Sequence, residues 1–338
     1  MSAGNRFGRP FSAERDERIM RILGTGSALP ERIVTNEELT QFLDTSDEWI
    51  RTRTGIRERR VMSDETLAGM GAEAGRRALE NAGLGAEELD MILCTTLQGD
   101  TATPGLGCLI QKELNASCPC IDVNGACAGF VYALDMADAY ISSGKARNIL
   151  IISAEELTRL ADWTDRSTCV LFGDGAGAVV AGPGEGLMAT RLTTDSNRDV
   201  LYACPAPGNN PFRTTKRPFV PLKMAGQDVY KFAVATSADD IRKVAEQAGV
   251  AAEEIDHFVL HQANLRIVEA VARRLKVETE RFPHNIERTG NTSSASVPIL
   301  LDELNRSGAL RPGQLLALSA FGAGLSTGAC ILRWTIGE

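Results

Sequence analysis

The chain has 338 residues, of which 43% are hydrophobic, and its formal net charge at pH 7 is −8. This length and hydrophobic content allow a large core and suggest two domains or a duplicated one. The acidic balance argues against a nucleic-acid-binding protein, which would carry a basic surplus. The sequence also lacks the run of about 18 apolar residues that a membrane helix needs.

The N-terminus and the cysteines indicate where the protein works. Residues 1–19 mix arginines with acidic residues and have no apolar segment, unlike a signal or transit peptide. We expect either a disordered leader or an extension upstream of a true start at Met20. The eight cysteines show no paired spacing, and the CxC of Cys118 and Cys120 lacks the second half of a zinc site. This favours reduced thiols, a cytoplasmic location and no bound metal.

Residues 44–60, DTSDEWIRTRTGIRERR, combine a tryptophan with spaced arginines. Trp49 can stack on an adenine ring, and Arg53 can bind a phosphate through two hydrogen bonds. The segment therefore suits a ligand that contains a nucleotide. Taken alone, it fits a solvated basic helix face better.

An internal repeat predicts the architecture. Residues 72–96 align without a gap to residues 238–262 at an offset of 166, and the register persists from 149–154 to 315–320. Each copy reads as a helix that ends at Gly83 or Gly249, followed by an acidic turn and a buried strand. This pattern predicts two similar α/β halves, residues 20–188 and 189–338, with parallel sheets covered by helices on both faces.

Cys127 lies between the apolar strand CIDVNG and a helix with a buried stripe of apolar residues. At a helix N-terminus the dipole and the free N–H groups stabilise a thiolate, so we expect a lowered thiol pKa. The alternative is a small buried core cysteine. Adding 166 to 127 gives Ser293, which predicts that the turn GNTSS is the counterpart of GACAG.

His261 and Asn291 are the other two candidates. His261 ends the strand IDHFVL, and ligands of open α/β sheets bind at the carboxyl ends of strands. His257 lies four residues earlier but on a strand rather than a helix, so we discount a metal pair. Without further information His261 would be structural, and Asn291 in TGNTSS would be a turn or N-cap residue.

In local sequence and in order, the three segments ACAGF, HQANLR and GNTSSAS together resemble the β-ketoacyl-[acyl carrier protein] synthase III branch of the thiolase-like condensing enzymes. The resemblance extends from about Met20 to the C-terminus. It implies a thiolase-like α/β fold, with two duplicated halves layered α-β-α-β-α about a pseudo-two-fold axis.

The resemblance also implies an activity. Such an acyltransferase performs a decarboxylating Claisen condensation of an acyl-CoA primer with malonyl-acyl carrier protein (ACP). The product is 3-oxoacyl-ACP, and the reaction initiates fatty-acid synthesis. It implies a homodimer paired through the strand before Cys127, with no metal or redox cofactor and with acyl-CoA as a substrate. We expect no nucleic-acid or membrane partner.

The family's functional positions are carried over one by one. The resemblance makes Cys127 the nucleophile, His261 and Asn291 its partners, and the backbone N–H groups of Cys127 and Ala323 the oxyanion hole, although relatives often have glycine at Ala323. It places Thr45, Trp49, Arg53, Arg166 and Asn264 at coenzyme A, and Lys231 near the carrier-protein entrance.

The helix after His261 adds basic residues for an acidic carrier protein, namely Arg266, Arg273 and Arg274, although an ordinary solvated helix face explains the last two equally well. Thr103 replaces a phenylalanine that closes the primer tunnel across the dimer in several relatives, which favours a larger primer. Leu222 or Leu325 could instead refill that space.

Two alternatives remain open at this stage. A primer ketosynthase or acyltransferase of a polyketide or other secondary-metabolite pathway would share every motif above. A papain-like cysteine hydrolase also uses Cys, His and Asn in this order, but it would want a CGSCW-like segment and usually a secretory signal.

Overall fold

A computed structural model describes residues 20–197, 199–204 and 220–337, so the predicted leader lies outside the described residues. The described strands are β1 Met20–Ala28, β2 Ile33–Thr35, β3 Glu58–Arg60, β4 Met91–Thr95, β5 Cys120–Val123, β6 Ile149–Glu156, β7 Asp174–Pro183, β8 Leu187–Thr194, β9 Leu201–Cys204, β10 Val220–Met224, β11 His257–Leu260, β12 Leu315–Gly322 and β13 Ser326–Arg333. The described α-helices are α1 Asn36–Leu39, α2 Asp47–Thr54, α3 Leu67–Ala82, α4 Leu106–Glu113, α5 Gly129–Ser142, α6 Gly226–Ala248, α7 Leu265–Leu275, α8 Ile286–Thr289 and α9 Ser296–Arg306.

Two mixed sheets form the framework. The first has the order β1-β7-β6-β4-β5, and the second has the order β11-β12-β13-β8. Strands β4, β5 and β6 are parallel, as are β11 and β12, whereas β7 and β13 run antiparallel to both of their neighbours. The prediction of all-parallel sheets is therefore wrong. The repeat contained only the helix-connected strands. Strand β7 follows a connection without an α-helix, residues 157–173, and β13 follows the short turn 323–325. Both strands return antiparallel to the strand that precedes them.

The two sheets enclose a central pair of helices, α5 and α9. Ile151 of β6 and Leu318 of β12 belong to one buried cluster with residues of both helices. The next residue of β6, Ile152, packs with α3 and α4, and Ala317 of β12 packs with α6 and α7. Because successive strand residues face opposite sides, each sheet is covered on both faces. This confirms the predicted α-β-α-β-α layering.

The repeat is confirmed for the outer helices and the strands. Helices α3 and α6 both end at a left-handed glycine, Gly83 with φ 65° and Gly249 with φ 68°. Strands β4 and β11 begin 166 residues apart (257 − 91), as do β6 and β12 (315 − 149). The predicted boundary after residue 188 lies inside β8, which pairs with the second sheet from Leu187 onward.

The register differs at the central turns. The turn Ala126–Ala128 matches Ser293–Ala295, and α5 matches α9, at an offset of 167 (293 − 126 and 296 − 129). Cys127 therefore corresponds to Ser294, and the predicted match to Ser293 is wrong. Counted between the first residues of the elements, β11 to its turn is 36 residues (293 − 257) against 35 (126 − 91) in the first half, and α9 to β12 is 19 (315 − 296) against 20 (149 − 129). An ungapped alignment cannot detect these two compensating shifts.

Candidate active site

The three candidate residues line one cavity of about 1600 Å³, although they are far apart in the sequence. Cys127 reaches it from the turn before α5, His261 from the end of β11, and Asn291 from the turn before α9. The turn before α5 and β11 approach the cavity from different halves of the chain. The site therefore exists only where the halves meet.

Cys127 is held in a tight turn. Its neighbour Ala126 has a left-handed backbone with φ 48°, and the Cys127 Sγ accepts a hydrogen bond from Ser293 Oγ at 3.3 Å. Burial raises the pKa of the thiol to about 12, although the bond from Ser293 opposes the rise. The predicted lowering of this pKa is therefore wrong, because desolvation of the thiolate outweighs the helix N-terminus.

His261 is buried, and its ring has a defined orientation. Its Nδ1 lies 2.7 Å from Ser296 Oγ, and its ring makes an edge contact with Phe321 at 5.2 Å between centroids. Because Ser296 Oγ accepts from the backbone N–H of Gln262 at 3.3 Å, its own proton is free for Nδ1. This favours the tautomer with a proton on Nε2. Burial lowers the pKa of His261 to about 3, so the ring is neutral at physiological pH.

Asn291 is fixed by three hydrogen bonds. Its backbone N–H donates to the Leu171 carbonyl at 2.8 Å, and its carbonyl accepts from the N–H of Gly173 at 3.0 Å. Its side-chain Oδ1 accepts from the N–H of Ser293 at 2.9 Å. Because Oδ1 is an acceptor there, the Nδ2 amino group is the end that can donate to a ligand.

The end of β12 packs directly on Cys127. A Cβ atom on Gly322 would lie 2.6 Å from Cys127 N and 3.0 Å from the Ala126 side chain, so glycine is required for this approach. Ala323 follows in the cavity lining. Its φ is not positive, so alanine causes no backbone strain at the position where relatives often have glycine.

The predicted nucleotide-binding residues form a group around Trp49. The guanidinium carbons of Arg53 and Arg166 lie 4.7 Å and 5.3 Å from the Trp49 ring centroid. Trp49, Arg53 and Asn264 line the cavity. Arg166 lies outside that lining and hydrogen-bonds to the carbonyl and the carboxylate of Asp44.

Asn264 and Thr45 differ in how much of the side chain a ligand could use. Asn264 caps α7, because its Oδ1 accepts from the N–H of Arg266 at 2.9 Å while its Nδ2 donates to the Arg53 carbonyl at 3.0 Å. Thr45 lies outside the cavity lining, and its Oγ1 is buried without a hydrogen-bond partner.

The remaining predicted residues divide between the cavity and the surface. Lys231, Arg266 and Leu222 line the cavity, and Arg266 lies over the Tyr230 ring at 5.8 Å. The residues outside the lining are Arg273 and Arg274, which are exposed on α7, Thr103, which is exposed, and Leu325, which is buried.

The buried groups behind the two turns were not predicted from the sequence. Ser293 contacts both Cys127 and Asn291, and Ser294 donates to the carboxyl group of Glu155 at 2.6 Å. The available signal was an acidic residue at the end of the otherwise apolar strand ILIISAEE. Burial raises the pKa of Glu155 to about 7.

The described ranges hold neither a cluster of metal ligands nor a membrane-spanning helix. Residues 20–197, 199–204 and 220–337 contain no group of three or more His, Cys, Asp or Glu side chains that could hold a metal ion. No helix within them combines the length and apolarity that crossing a membrane requires.

Comparisons with known proteins agree with the geometry. The family model described as 3-oxoacyl-[acyl-carrier-protein (ACP)] synthase III matches residues 121–196, and the model of its C-terminal part matches residues 245–334. The β-ketoacyl-[acyl-carrier-protein] synthase III of Xanthomonas campestris pv. campestris is 46% identical over 318 residues, which cover 93% of this chain and 98% of that protein.

Solved structures extend the comparison. The crystal structure of 3-oxoacyl-[acyl-carrier-protein] synthase III from Aquifex aeolicus has a TM-score of 0.87 and 43% identity, and the match covers 93% of this chain and 100% of that one. The priming β-ketosynthase of a polyketide biosynthetic pathway has a TM-score of 0.90 and 38% identity, with coverages of 97% and 100%. Family membership excludes the papain-like alternative. The chain belongs to the β-ketoacyl-[acyl carrier protein] synthase III family and is a condensing acyltransferase.

Proposed function

We propose that the cavity transfers an acyl group from acyl-CoA to Cys127 and then condenses it with malonyl-ACP to give 3-oxoacyl-ACP. The observation that supports this proposal is the convergence of Cys127, His261 and Asn291 on one cavity. A thiol nucleophile and two neutral donors match the needs of thioester chemistry.

In the first step the Cys127 sulfur attacks the thioester carbonyl of acyl-CoA. The backbone N–H groups of Cys127 and Ala323 stabilise the oxyanion, and free CoA leaves with the thiol proton. Because the His261 pKa is about 3, the ring is a weak base. Thiolate formation therefore depends on the Ser293 hydroxyl and on the N-terminal end of α5.

In the second step malonyl-ACP loses carbon dioxide. The Nε2–H of His261 and the Nδ2–H of Asn291 donate to its thioester carbonyl oxygen, so that the electron pair released by the departing carboxylate forms a stabilised enolate. The enolate carbon attacks the acyl group on Cys127. The thiolate leaves, regains a proton, and 3-oxoacyl-ACP is released.

The substrates are assigned to the cavity by chemistry. The Trp49 ring and the guanidinium groups of Arg53 and Arg166 suit the adenine and phosphates of coenzyme A, with Thr45 and Asn264 as further contacts. The guanidinium carbon of Arg166 is 5.3 Å from the Trp49 centroid, so the pair must separate to about 7 Å to hold a ring between them. Lys231 and Arg266, extended by Arg273 and Arg274, suit an acidic carrier protein.

The dimer is assigned to the edge of the first sheet. Strand β5 is the last strand in that sheet, and Ile121 on it is 49% exposed. Pairing two β5 edges would cover an unpaired strand edge. Sedimentation should give a species of twice the 36.3 kDa chain mass, and a monomer at micromolar concentration would contradict this assignment.

A polyketide-priming role is the second candidate. It is supported by the TM-score of 0.90 to a priming β-ketosynthase. The chemistry in the cavity would be the same, and only the carrier protein and primer would differ. Comparing kcat/KM with fatty-acid and polyketide carrier proteins from the same cell separates the two roles.

A mass-spectrometric panel of acyl-CoA donors tests the proposal most directly. Each donor is incubated with the protein, and the peptide that contains Cys127 is examined for the added acyl mass. Malonyl-ACP should then discharge the acyl group as 3-oxoacyl-ACP. If no donor acylates Cys127, or if the acyl group stays on the enzyme, the proposed mechanism is wrong.

A further inference from the structure

A carboxyl group lies buried behind the two central turns. Glu155, near the end of β6, is 1% exposed, and the mechanism above does not use it. Its Oε1 accepts from Ser294 Oγ at 2.6 Å, and its Oε2 accepts from the N–H of Leu97 at 2.9 Å. Because both oxygens have partners, the carboxyl group is held in one orientation.

The bond between Glu155 and Ser294 joins the two halves of the chain. Ser294 Oγ also lies 3.0 Å from Thr95 Oγ1, which lies 2.7 Å from Ser153 Oγ. Ser294 is thus anchored to β4 and β6 of the first sheet. The preceding residue, Ser293, makes the contacts to Cys127 Sγ and to Asn291 Oδ1.

We propose that Glu155 is a positioning residue for the condensation, which through Ser294 holds the Ser293 turn against Cys127. The adjacent residues Ser294 and Ser293 contact the Glu155 carboxyl group at 2.6 Å and the Cys127 sulfur at 3.3 Å, so the charge of Glu155 also lies near enough to affect the reactivity of Cys127. This inference rests on the role proposed above for Cys127. Neither Ser293 nor Ser294 lines the cavity, so Glu155 acts from behind the site rather than on a substrate.

The electrostatics give the sign of the effect. Burial raises the pKa of Glu155 to about 7, against the hydrogen bonds from Ser294 and Leu97. Burial also raises the pKa of Cys127, and the negative charge of Glu155 raises it further. Burial and the same charge also raise the pKa of the Cys94 thiol on β4. An ionised Glu155 therefore opposes the thiolate, whereas a neutral Glu155 does not.

Glu155→Gln separates charge from position. A glutamine carbonyl oxygen can accept from Leu97 while its amino group donates to Ser294 Oγ, so the variant imitates the neutral carboxyl group. Glu156→Gln is the matched control, because Glu156 is the next residue of β6 and its carboxylate pairs with Arg159 at 3.2 Å. At a pH where the carboxyl groups are ionised, both substitutions remove one negative charge.

The first measurement is the rate at which iodoacetamide alkylates Cys127 between about pH 6 and pH 10, followed on the Cys127 peptide by mass spectrometry. Near pH 6, where wild-type Glu155 is neutral, Glu155→Gln should match wild type. At about pH 8.5 it should react at least about threefold faster. The assay needs neither acyl-CoA nor ACP, so its outcome is independent of the proposed function.

The Glu156→Gln profile should coincide with that of wild type. If Glu155→Gln also coincides with wild type at every pH, or if Glu156→Gln shows the same acceleration, the charge effect is overturned.

The second measurement uses Ser294→Ala, which removes the bond to Glu155 at little cost in volume. It also decides the matter if Glu155→Gln does not fold. We expect kcat for condensation to fall about tenfold while the KM for acyl-CoA stays unchanged, because misplacement of the turn affects the reacting groups and not the substrate site. A wild-type kcat, or a loss confined to KM, would overturn the positioning role.

Discussion

The two central turns, Ala126–Ala128 and Ser293–Ala295, have similar backbone conformations, but their side chains have different surroundings. Each begins with a left-handed residue, Ala126 with φ 48° and Ser293 with φ 52°, and each leads directly into a central helix. In the first turn Cys127 faces the cavity. In the second, Ser293 and Ser294 are buried and hold that cysteine and the Glu155 carboxyl group.

The same division occurs at the matching strand ends. His261 at the end of β11 corresponds to Thr95 at the end of β4 at the offset of 166. His261 lines the cavity, whereas the Thr95 hydroxyl lies within the buried serine network. At each pair of positions one half supplies a candidate reacting group and the other supplies a buried hydroxyl, and the two hydroxyls, Thr95 Oγ1 and Ser294 Oγ, are 3.0 Å apart.

Cys127→Ala removes the reacting member of the first pair and should have the largest effect. Condensation from acyl-CoA should fall by about a thousandfold or more, because no covalent intermediate can form. Release of carbon dioxide from malonyl-ACP should persist, because His261 and Asn291 remain. Turnover with each substrate is followed separately, with the exposed Cys108→Ala as the control. Full condensation activity in Cys127→Ala would refute the nucleophile assignment.

Asn291→Ala should do the reverse. Loss of one donor to the enolate should lower decarboxylation and condensation by about a hundredfold or more, while acylation of Cys127 continues. The assay compares acyl-enzyme formation with carbon dioxide release, and His261→Ala should behave alike. His284→Ala is the control. The His284 Nδ1 lies 3.0 Å from Glu287 Oε2, and this residue is not part of the cavity lining. Normal carbon dioxide release from Asn291→Ala would place the donor elsewhere.

Gly322→Ala tests how closely the halves must approach. Its Cβ would lie 2.6 Å from Cys127 N, so the turn must shift. We expect kcat to fall about tenfold to a hundredfold with the fold retained, because the nucleophile and oxyanion hole move apart. Gly226→Ala is the matched control. Gly226 also lines the cavity, but its nearest neighbour would be Met224 Cε at 4.0 Å. Equal activity of both variants would show that the close packing of Gly322 on Cys127 is not needed for the reaction.

The sequence predicted the duplicated halves because their strands and glycine caps repeat at a constant spacing. It could not predict the antiparallel strands β7 and β13, since their pairing partners are set by the folded sheet and not by a local pattern. It also assigned Ser293 as the counterpart of Cys127, because a one-residue shift between β11 and the turn is invisible in short matching segments.

The candidate site was predictable where motifs identify residues and not where burial sets their properties. Cys127, His261 and Asn291 each lie in a short sequence motif that identified them as candidates. The pKa of Cys127 was predicted in the wrong direction, because the sequence indicates a helix start but not the depth of the thiol. Glu155 was missed for the same reason, since its role depends on the serine that the other half places beside it.

Thr103→Phe tests the predicted primer size at the far end of the first half. Thr103 is exposed in the single chain, and in the proposed dimer it would contribute to the partner's tunnel. An aromatic ring there should occupy space for two or three methylenes and lower kcat/KM for octanoyl-CoA relative to acetyl-CoA by about tenfold. Thr101→Ser serves as a conservative control. The prediction fails if acetyl-CoA already dominates in wild type or if phenylalanine leaves the primer ranking unchanged.

The smallest effect on activity is expected from a substitution of Arg266, the residue of the second half that we place at the cavity entrance. Arg266 is exposed on α7 and lines the cavity, so reversing its charge should weaken the encounter with an acidic carrier protein without changing the chemistry. For Arg266→Glu we expect the KM for malonyl-ACP to rise about fivefold at low salt and to approach wild type at high salt, with the KM for acyl-CoA unchanged. Arg311→Glu, an equal charge change at an exposed residue outside the lining, should leave both values alone. An unchanged KM for malonyl-ACP in Arg266→Glu would show that the carrier protein does not enter at α7. A rise in this KM that salt does not reverse would indicate a steric rather than an electrostatic role for Arg266.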